Sequence, residues 1–260
     1  MNIKPIITAV AAVVGLALAG FTFANEKQGQ VSDVKDWNLA GGEKSEAMLL
    51  EPDRERGIAV YEVCSACHLL EGWGLSDGTF PQLAGQHRNV LIKQLTDIRA
   101  QNRDNPTMYP FALDDQIMAV SGFKHGEINP AQLVADVTAY ISKLPMNPEP
   151  GQGPWEEGTP EFEQGRKLYL DNCTQCHGDN GEGSDEKFYP RIQGQHYNYM
   201  LRQFEWIRDG KRRNANPDMV KQIKGFSDKD MQMVINYTSR HMPAKELLAP
   251  SADWQNPDYD

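Results

Sequence analysis

The pentapeptide Cys-x-x-Cys-His occurs twice in the chain, as Cys64-Ser65-Ala66-Cys67-His68 and Cys173-Thr174-Gln175-Cys176-His177, and the two copies hold all four cysteines. They stand 109 residues apart, and the displacement extends beyond them. Pro81-Gln82-Leu83-Ala84-Gly85-Gln86-His87 returns as Pro190-Arg191-Ile192-Gln193-Gly194-Gln195-His196, and Gln94, Ile98 and Arg99 return as Gln203, Ile207 and Arg208. Gly57 and Tyr61 match Gly165 and Tyr169 with a one-residue slip; Asn105-Pro106-Thr107-Met108 matches Asn216-Pro217-Asp218-Met219 after a two-residue insertion; Ala139-Tyr140 matches Asn236-Tyr237. Self-similarity of this extent makes the chain a tandem duplication of a unit of about 90 residues.

The units read as helical. Residues 90–99 and 199–208 carry apolar residues at helical spacing, and final helices are expected over 131–143 and 228–239, started by Asn129-Pro130 and Ser227. Period-two alternation is absent, so the expected fold class is all-α. Residues 51–145 form a first domain and 162–245 a second. Between them, 146–161 is crowded with proline and glycine and reads as an extended linker. A polar arm at 25–50 is expected to drape over the first unit or stay loose, and an acidic tail at 246–260 to lie at the periphery.

Cys-x-x-Cys-His is the attachment signature of c-type haem. Two thiols three residues apart on one helical turn reach the two vinyl groups of a porphyrin, and the next residue aims an imidazole at the iron. Zinc would need further ligands, and neither copy has another cysteine or a nearby second histidine. Two covalent haem c groups are therefore expected, on Cys64 and Cys67 with His68, and on Cys173 and Cys176 with His177. A methionine opposite each histidine gives a six-coordinate electron-transfer iron. Met219 lies 42 residues after His177, in a loop opened by Asn216-Pro217. In the first unit Met108 shares the Asn-Pro-x-Met setting, but the unit carries 14 extra residues before Tyr140, and Met118 fits the distance to that tyrosine better. Met108 is the expected ligand with Met118 as the alternative, and residues 111–129 are expected to form a loop over one edge of the first haem. Arg103 and Arg212, again 109 apart, could meet haem propionates or be solvated; His87 and His196 recur as a pair without the setting of iron ligands.

These motifs resemble the two-haem class I cytochromes c, in particular the bacterial cytochrome c-four type, over about residues 51–145 and 158–243. The resemblance implies two cytochrome c folds about a pseudo-twofold axis, His/Met-ligated haems, and electron transfer in the periplasm toward a terminal oxidase or reductase. Leu69 departs from the family, which has glycine after the motif, as Gly178 does. The main expectation is an electron carrier and not an enzyme. The alternatives are a dihaem enzyme of the peroxidase or thiosulfate dehydrogenase type, or an electron-entry subunit of a larger, membrane-associated complex.

Lys4, an apolar run at 6–20 and Thr22-Phe23-Ala24 describe an export signal cleaved after Ala24, or alternatively a retained membrane anchor. The 36 acidic residues against 26 basic ones exclude a nucleic-acid partner, whose phosphates demand clustered lysine and arginine. Redox proteins with basic docking faces suit this balance.

Overall fold

The computed structural model describes residues 37–38 and 41–259. The expected export signal at 1–24 and the first part of the arm lie outside the described residues. The first half contains α1 (Gly42–Leu49), α2 (Arg54–His68), α3 (Arg88–Arg99), α4 (Tyr109–Ala112), α5 (Asp114–Ser121) and α6 (Pro130–Ile141). The second contains α7 (Pro160–Asn172), α8 (Thr174–His177), α9 (Tyr197–Arg208), α10 (Pro217–Ile223) and α11 (Asp228–Thr238), followed by 3-10 turns at Lys245–Leu247 and Pro257–Tyr259. Pairing between extended segments among the described residues is confined to three isolated bridges.

Each half is organised by a crossing of its first and last long helices, α2 over α6 and α7 over α11. Glycine permits the close approach: a Cβ on Gly57 would lie 2.7 Å from the Asp136 carbonyl, and one on Gly165 would lie 2.1 Å from that of Met233. One turn further on, Tyr61 meets Tyr140 at 5.5 Å between ring centroids and Tyr169 meets Tyr237 at 5.6 Å. Stop and start signals act as the sequence implies. Asn129 caps α6 through Ala131 N–H, and Ser227 with Asp230 forms a reciprocal capping box on α11. The two copies differ at the attachment motif: α2 runs unbroken through Cys64 to His68, whereas α7 stops at Asn172 and the short α8 carries the second motif.

Three segments are more ordered than the sequence implies, the first of them lying over the first unit as expected. The described part of the arm forms α1, pinned where Arg99 bonds Glu43 at 2.7 Å and also Asp114. The extra residues of the first unit are not a loop: they form α4 and α5, and Ile117 and Met118 of α5 enter the first core. Eight residues are too few for a periodic pattern to register, so burial decides the helix. The tail is not peripheral. Ala249 and Asn256 are buried, Asn256 Nδ2 donates to Leu70 O (2.7 Å) and Tyr140 Oη (2.9 Å), Tyr259 Oη donates to Ile58 O (2.8 Å), and Asp258 bonds Arg54 (2.5 Å). Chain that follows the second domain thus completes the first. The linker ends in the first turn of α7, at Pro160, and its preceding residues are non-helical but fastened, since Asn236 exchanges hydrogen bonds with the backbone of Trp155 (2.8 and 2.9 Å).

Candidate haem sites and the interface between them

The two attachment motifs sit at helix ends in matching surroundings. His68 Nδ1 is 3.0 Å from Pro81 O, and His177 Nδ1 is 3.0 Å from Pro190 O. A carbonyl only accepts, so each Nδ1 carries the proton and each Nε2 keeps its lone pair for a metal. Burial pushes both imidazoles below their ordinary range, favouring the neutral, ligating form. Tyr61 Oη donates to Leu69 O (2.8 Å) and Tyr169 Oη to Gly178 O (2.7 Å), fixing the turn that follows each histidine. That turn takes φ 65° at Leu69 and φ 76° at Gly178. The family's glycine is therefore a backbone requirement, which Leu69 meets under strain.

None of the four cysteines is in a disulfide. Burial, with the neighbouring thiol adding, pushes Cys64 and Cys173 up to about 12, so both stay protonated at neutral pH. The three methionines differ in setting. Met108 is half-buried at the N-cap of α4, and Met219 is half-buried in α10 against the second core. Met118 is 4% exposed among Tyr61, Ile117 and Leu133.

The segments running from the proline toward the methionine meet across a pseudo-twofold axis. Gln195 brackets the backbone of Gln82, donating to its carbonyl at 2.9 Å and accepting its N–H at 3.0 Å. Gln86 does the same to Arg191 at 2.8 and 2.9 Å. His87 Nε2 reaches Glu182 O and His196 Nε2 reaches Trp73 O, both at 2.7 Å, so these histidines tie the domains together. His196 is fully buried, and its Nδ1 accepts from Gly151 N–H at 3.0 Å, which makes it neutral.

At the far end of the same interface Arg103 and Arg212 approach each other. Gln94 Oε1 accepts from Arg103 at 3.0 Å and from Arg212 at 2.9 Å; Gln203 Oε1 accepts from them at 3.0 and 3.1 Å. Tyr199 Oη and Asn214 complete the set. Every one of these partners is neutral, and the nearby Asp97 is taken by Lys93 at 2.5 Å. Burial and Arg103 push Arg212 down to about 9. A buried guanidinium pair whose nearest carboxylate, Asp97, is shared with Lys93 is short of negative charge, and this one fits a prosthetic group that brings its own carboxylates. Haem does so, on the edge opposite its vinyl groups. The structural roles of Gln86 and Gln195 were not apparent from the residues alone, although their recurrence after Pro-x-Leu/Ile-x-Gly was the available signal.

Two helical domains that each end a helix in a Cys-x-x-Cys-His turn, with the imidazole held by a proline carbonyl, define a dihaem c-type protein. The sequence matches the family described as Cytochrome c over residues 54–145 and 162–241. It is 30% identical to cytochrome c4 of Azotobacter vinelandii over 189 residues, covering 71% of this chain and 87% of that one. It is 31% identical over 179 residues to the thiosulfate dehydrogenase electron acceptor of Stutzerimonas stutzeri strain A1501, covering 67% and 76%. The crystal structure of reduced recombinant cytochrome c4 from Pseudomonas stutzeri superposes with a TM-score of 0.56 at 28% identity, covering 74% of this chain and all of that one. The chain belongs to the cytochrome c family, in its dihaem c4-like branch. It binds two covalent haem c groups and carries electrons.

Proposed function

We propose that Cys64, Cys67, Cys173 and Cys176 form the thioether bonds, that His68 and His177 are the proximal iron ligands, and that Met108 and Met219 are the distal ones. The twin imidazole–proline bonds at 3.0 Å carry this reading, because they leave the same nitrogen free in both domains. Haem supplies a metal that changes oxidation state by one electron, and a permanent sulfur ligand keeps that change from requiring a new bond. The chain's part is to hold each imidazole in one tautomer, to exclude water with the two tyrosine pairs, and to balance propionate charge at Arg103 and Arg212. Met108 is favoured over Met118 because it shares the Asn-Pro-x-Met setting of Met219 and its side chain is not committed to the core.

With both irons so ligated the protein is a carrier and not an enzyme. Its donor belongs to the class of redox enzymes that the Stutzerimonas relative's name describes, a thiosulfate dehydrogenase type. The export signal expected at 1–24 supports a periplasmic place for the protein. Among the described residues no helix is long and apolar enough to cross a membrane.

The test is the ferric optical spectrum with haem counted by the pyridine haemochrome method. Two haems per chain are expected, both with a sulfur-to-iron charge-transfer band. Met108→Ala is expected to remove one band and open one haem to cyanide; retention of both bands would transfer the role to Met118. Rapid cyanide binding to the unaltered protein would support the enzyme reading instead.

A further inference from the structure

The pseudo-twofold relation between the domains breaks at one place beside the arginine pair. The displacement of 109 sets Lys93 against Arg202, Asp97 against Trp206 and Val90 against Tyr199. In the second domain the Arg202 guanidinium lies 5.5 Å from the Tyr199 ring and 5.8 Å from that of Trp206, and it donates to Gly78 O across the interface at 2.7 Å. In the first domain α3 carries no ring at either matching position. Asp97 instead takes the Lys93 ammonium at 2.5 Å, and the ring comes from outside the repeat: the centroid of Trp37, in the arm, is 5.0 Å from Lys93 Nζ. A cation that the second domain keeps under rings of its own helix is here roofed by the arm. Trp37 is itself held. Its neighbour Asn38 accepts from Lys44 Nζ of α1 at 2.7 Å, Glu43 of α1 binds Arg99 of α3, and Lys44 lies 5.7 Å from the Phe188 ring of the second domain.

Asp97 joins this roof to the arginine pair by two routes. Its main-chain carbonyl accepts from Arg103 N–H at 3.0 Å, as the Trp206 carbonyl accepts from Arg212 N–H at 2.9 Å. Its carboxylate accepts from Asn214 Nδ2 at 2.7 Å, and Asn214 Oδ1 accepts from Arg212 Nε at 3.4 Å. Asn214 falls in the two-residue insertion of the second copy and has no counterpart in the first. Two residues that each belong to one copy alone thus meet across the interface. The Lys93 and Asp97 side chains are 1% and 13% exposed. An ion pair so covered keeps one geometry; once wetted, its attraction falls several-fold and each partner turns to solvent.

We infer that Trp37 is a positioning residue of the electron-transfer unit: it shields Lys93 and Asp97 from water and, through Asp97 and Asn214, holds Arg212 beside Arg103 for the carboxylates of the haems. The inference rests on the two-haem reading above and extends the unit to a segment outside both repeats. Fixed positive charge shielded from water favours the ferrous state, which carries one positive charge fewer than the ferric. Wetting and loosening that charge favours the ferric state.

The experiment is an optical redox titration of the full holoprotein, with haem content and the urea midpoint measured on the same samples. Trp37→Ala is expected to lower the potentials, read as a fall of about threefold to tenfold in the ferrous-to-ferric ratio at a fixed applied potential. Trp37→Phe, which keeps a ring over the ammonium, is expected to restore the ratio, and Trp37→Leu to fall between the two. Asn214→Ala is expected to lower the ratio as well. Combined with Trp37→Ala it is expected to give the larger single effect and not the product of the two, because both act along one chain of contacts. A ratio unmoved by Trp37→Ala, with or without a loss of stability, overturns the inference, and so do effects that multiply. Should Trp37→Ala fail to accumulate, Trp37→Leu with Asn214→Ala supplies the same comparison. Fewer than two haems in the unaltered protein would defeat the two-haem reading itself, whereas two haems with potentials indifferent to Trp37 defeat only this inference.

Discussion

Leu69 occupies a backbone conformation that glycine adopts freely, and the energies involved predict an inverted substitution series. At φ 65° and ψ 163° its side chain costs about 1–3 kcal/mol of strain. The residue is 39% exposed, so its remaining burial returns about 1–2 kcal/mol of what a fully buried leucine gives. Leu69→Ala loses most of that burial and keeps the strain, for a net loss of about 1 kcal/mol. Leu69→Gly loses the same burial and removes the strain, against an added chain-entropy cost of about 0.4–1 kcal/mol relative to alanine. The glycine variant is therefore expected to be the more stable of the two by about 1 kcal/mol, opposite to the usual order. Urea unfolding of the holoproteins reads this as a shift in midpoint at constant slope. Gly178→Ala supplies the reciprocal case, because it places a Cβ on a backbone at φ 76°. An alanine variant at 69 that equals or exceeds the glycine variant in stability would refute the argument.

The remaining expectations are more direct. Burial pushes the fully buried His196 below its ordinary range, so the unfolded chain binds the extra proton; stability is complete above the unfolded value near 6.5 and falls as pH drops below it, by up to about 1.4 kcal/mol per pH unit. Urea titrations at pH 7 and 5.5 should show this loss and His196→Gln should reduce it; stability that rises on acidification counts against the neutral interface histidine. Met118→Ala is expected to cost about 2–4 kcal/mol through its vacated core volume while leaving both sulfur-to-iron bands intact. Asn256→Ala leaves Leu70 O and Tyr140 Oη without their buried donor and should cost about 1–3 kcal/mol, read by thermal unfolding; an unchanged midpoint would show that the tail does not hold the first domain.

Much of each domain was legible because its signals are local. Gly57, Tyr61 and Tyr140 belong to one helix crossing, and their repetition as Gly165, Tyr169 and Tyr237 marks that crossing twice. The attachment motifs name their chemistry by spacing alone. Pairing between the copies was not legible, since a repeat shows that Gln86 resembles Gln195 and says nothing of either one bracketing the other domain's backbone. The tail's packing is hidden for a related reason. Trp254, Asn256 and Tyr259 are three anchors in an aperiodic, proline-containing stretch, and their partners lie 116 to 201 residues upstream. In α5, Ile117 and Met118 become core residues only because α2 lies beneath them.

The returning tail also has a kinetic meaning. Arg54 and Asp258 are 204 positions apart, and Ile58 and Tyr259 are 201 apart. Closing a loop of that size costs about 3 kcal/mol more entropy than closing one of ten residues. The half of the molecule synthesised first must wait for the last residues of the described chain before Tyr140 and Leu70 gain their final partners. Order of assembly thus runs against order of synthesis: the second domain can close on its own residues, and the first is sealed afterwards.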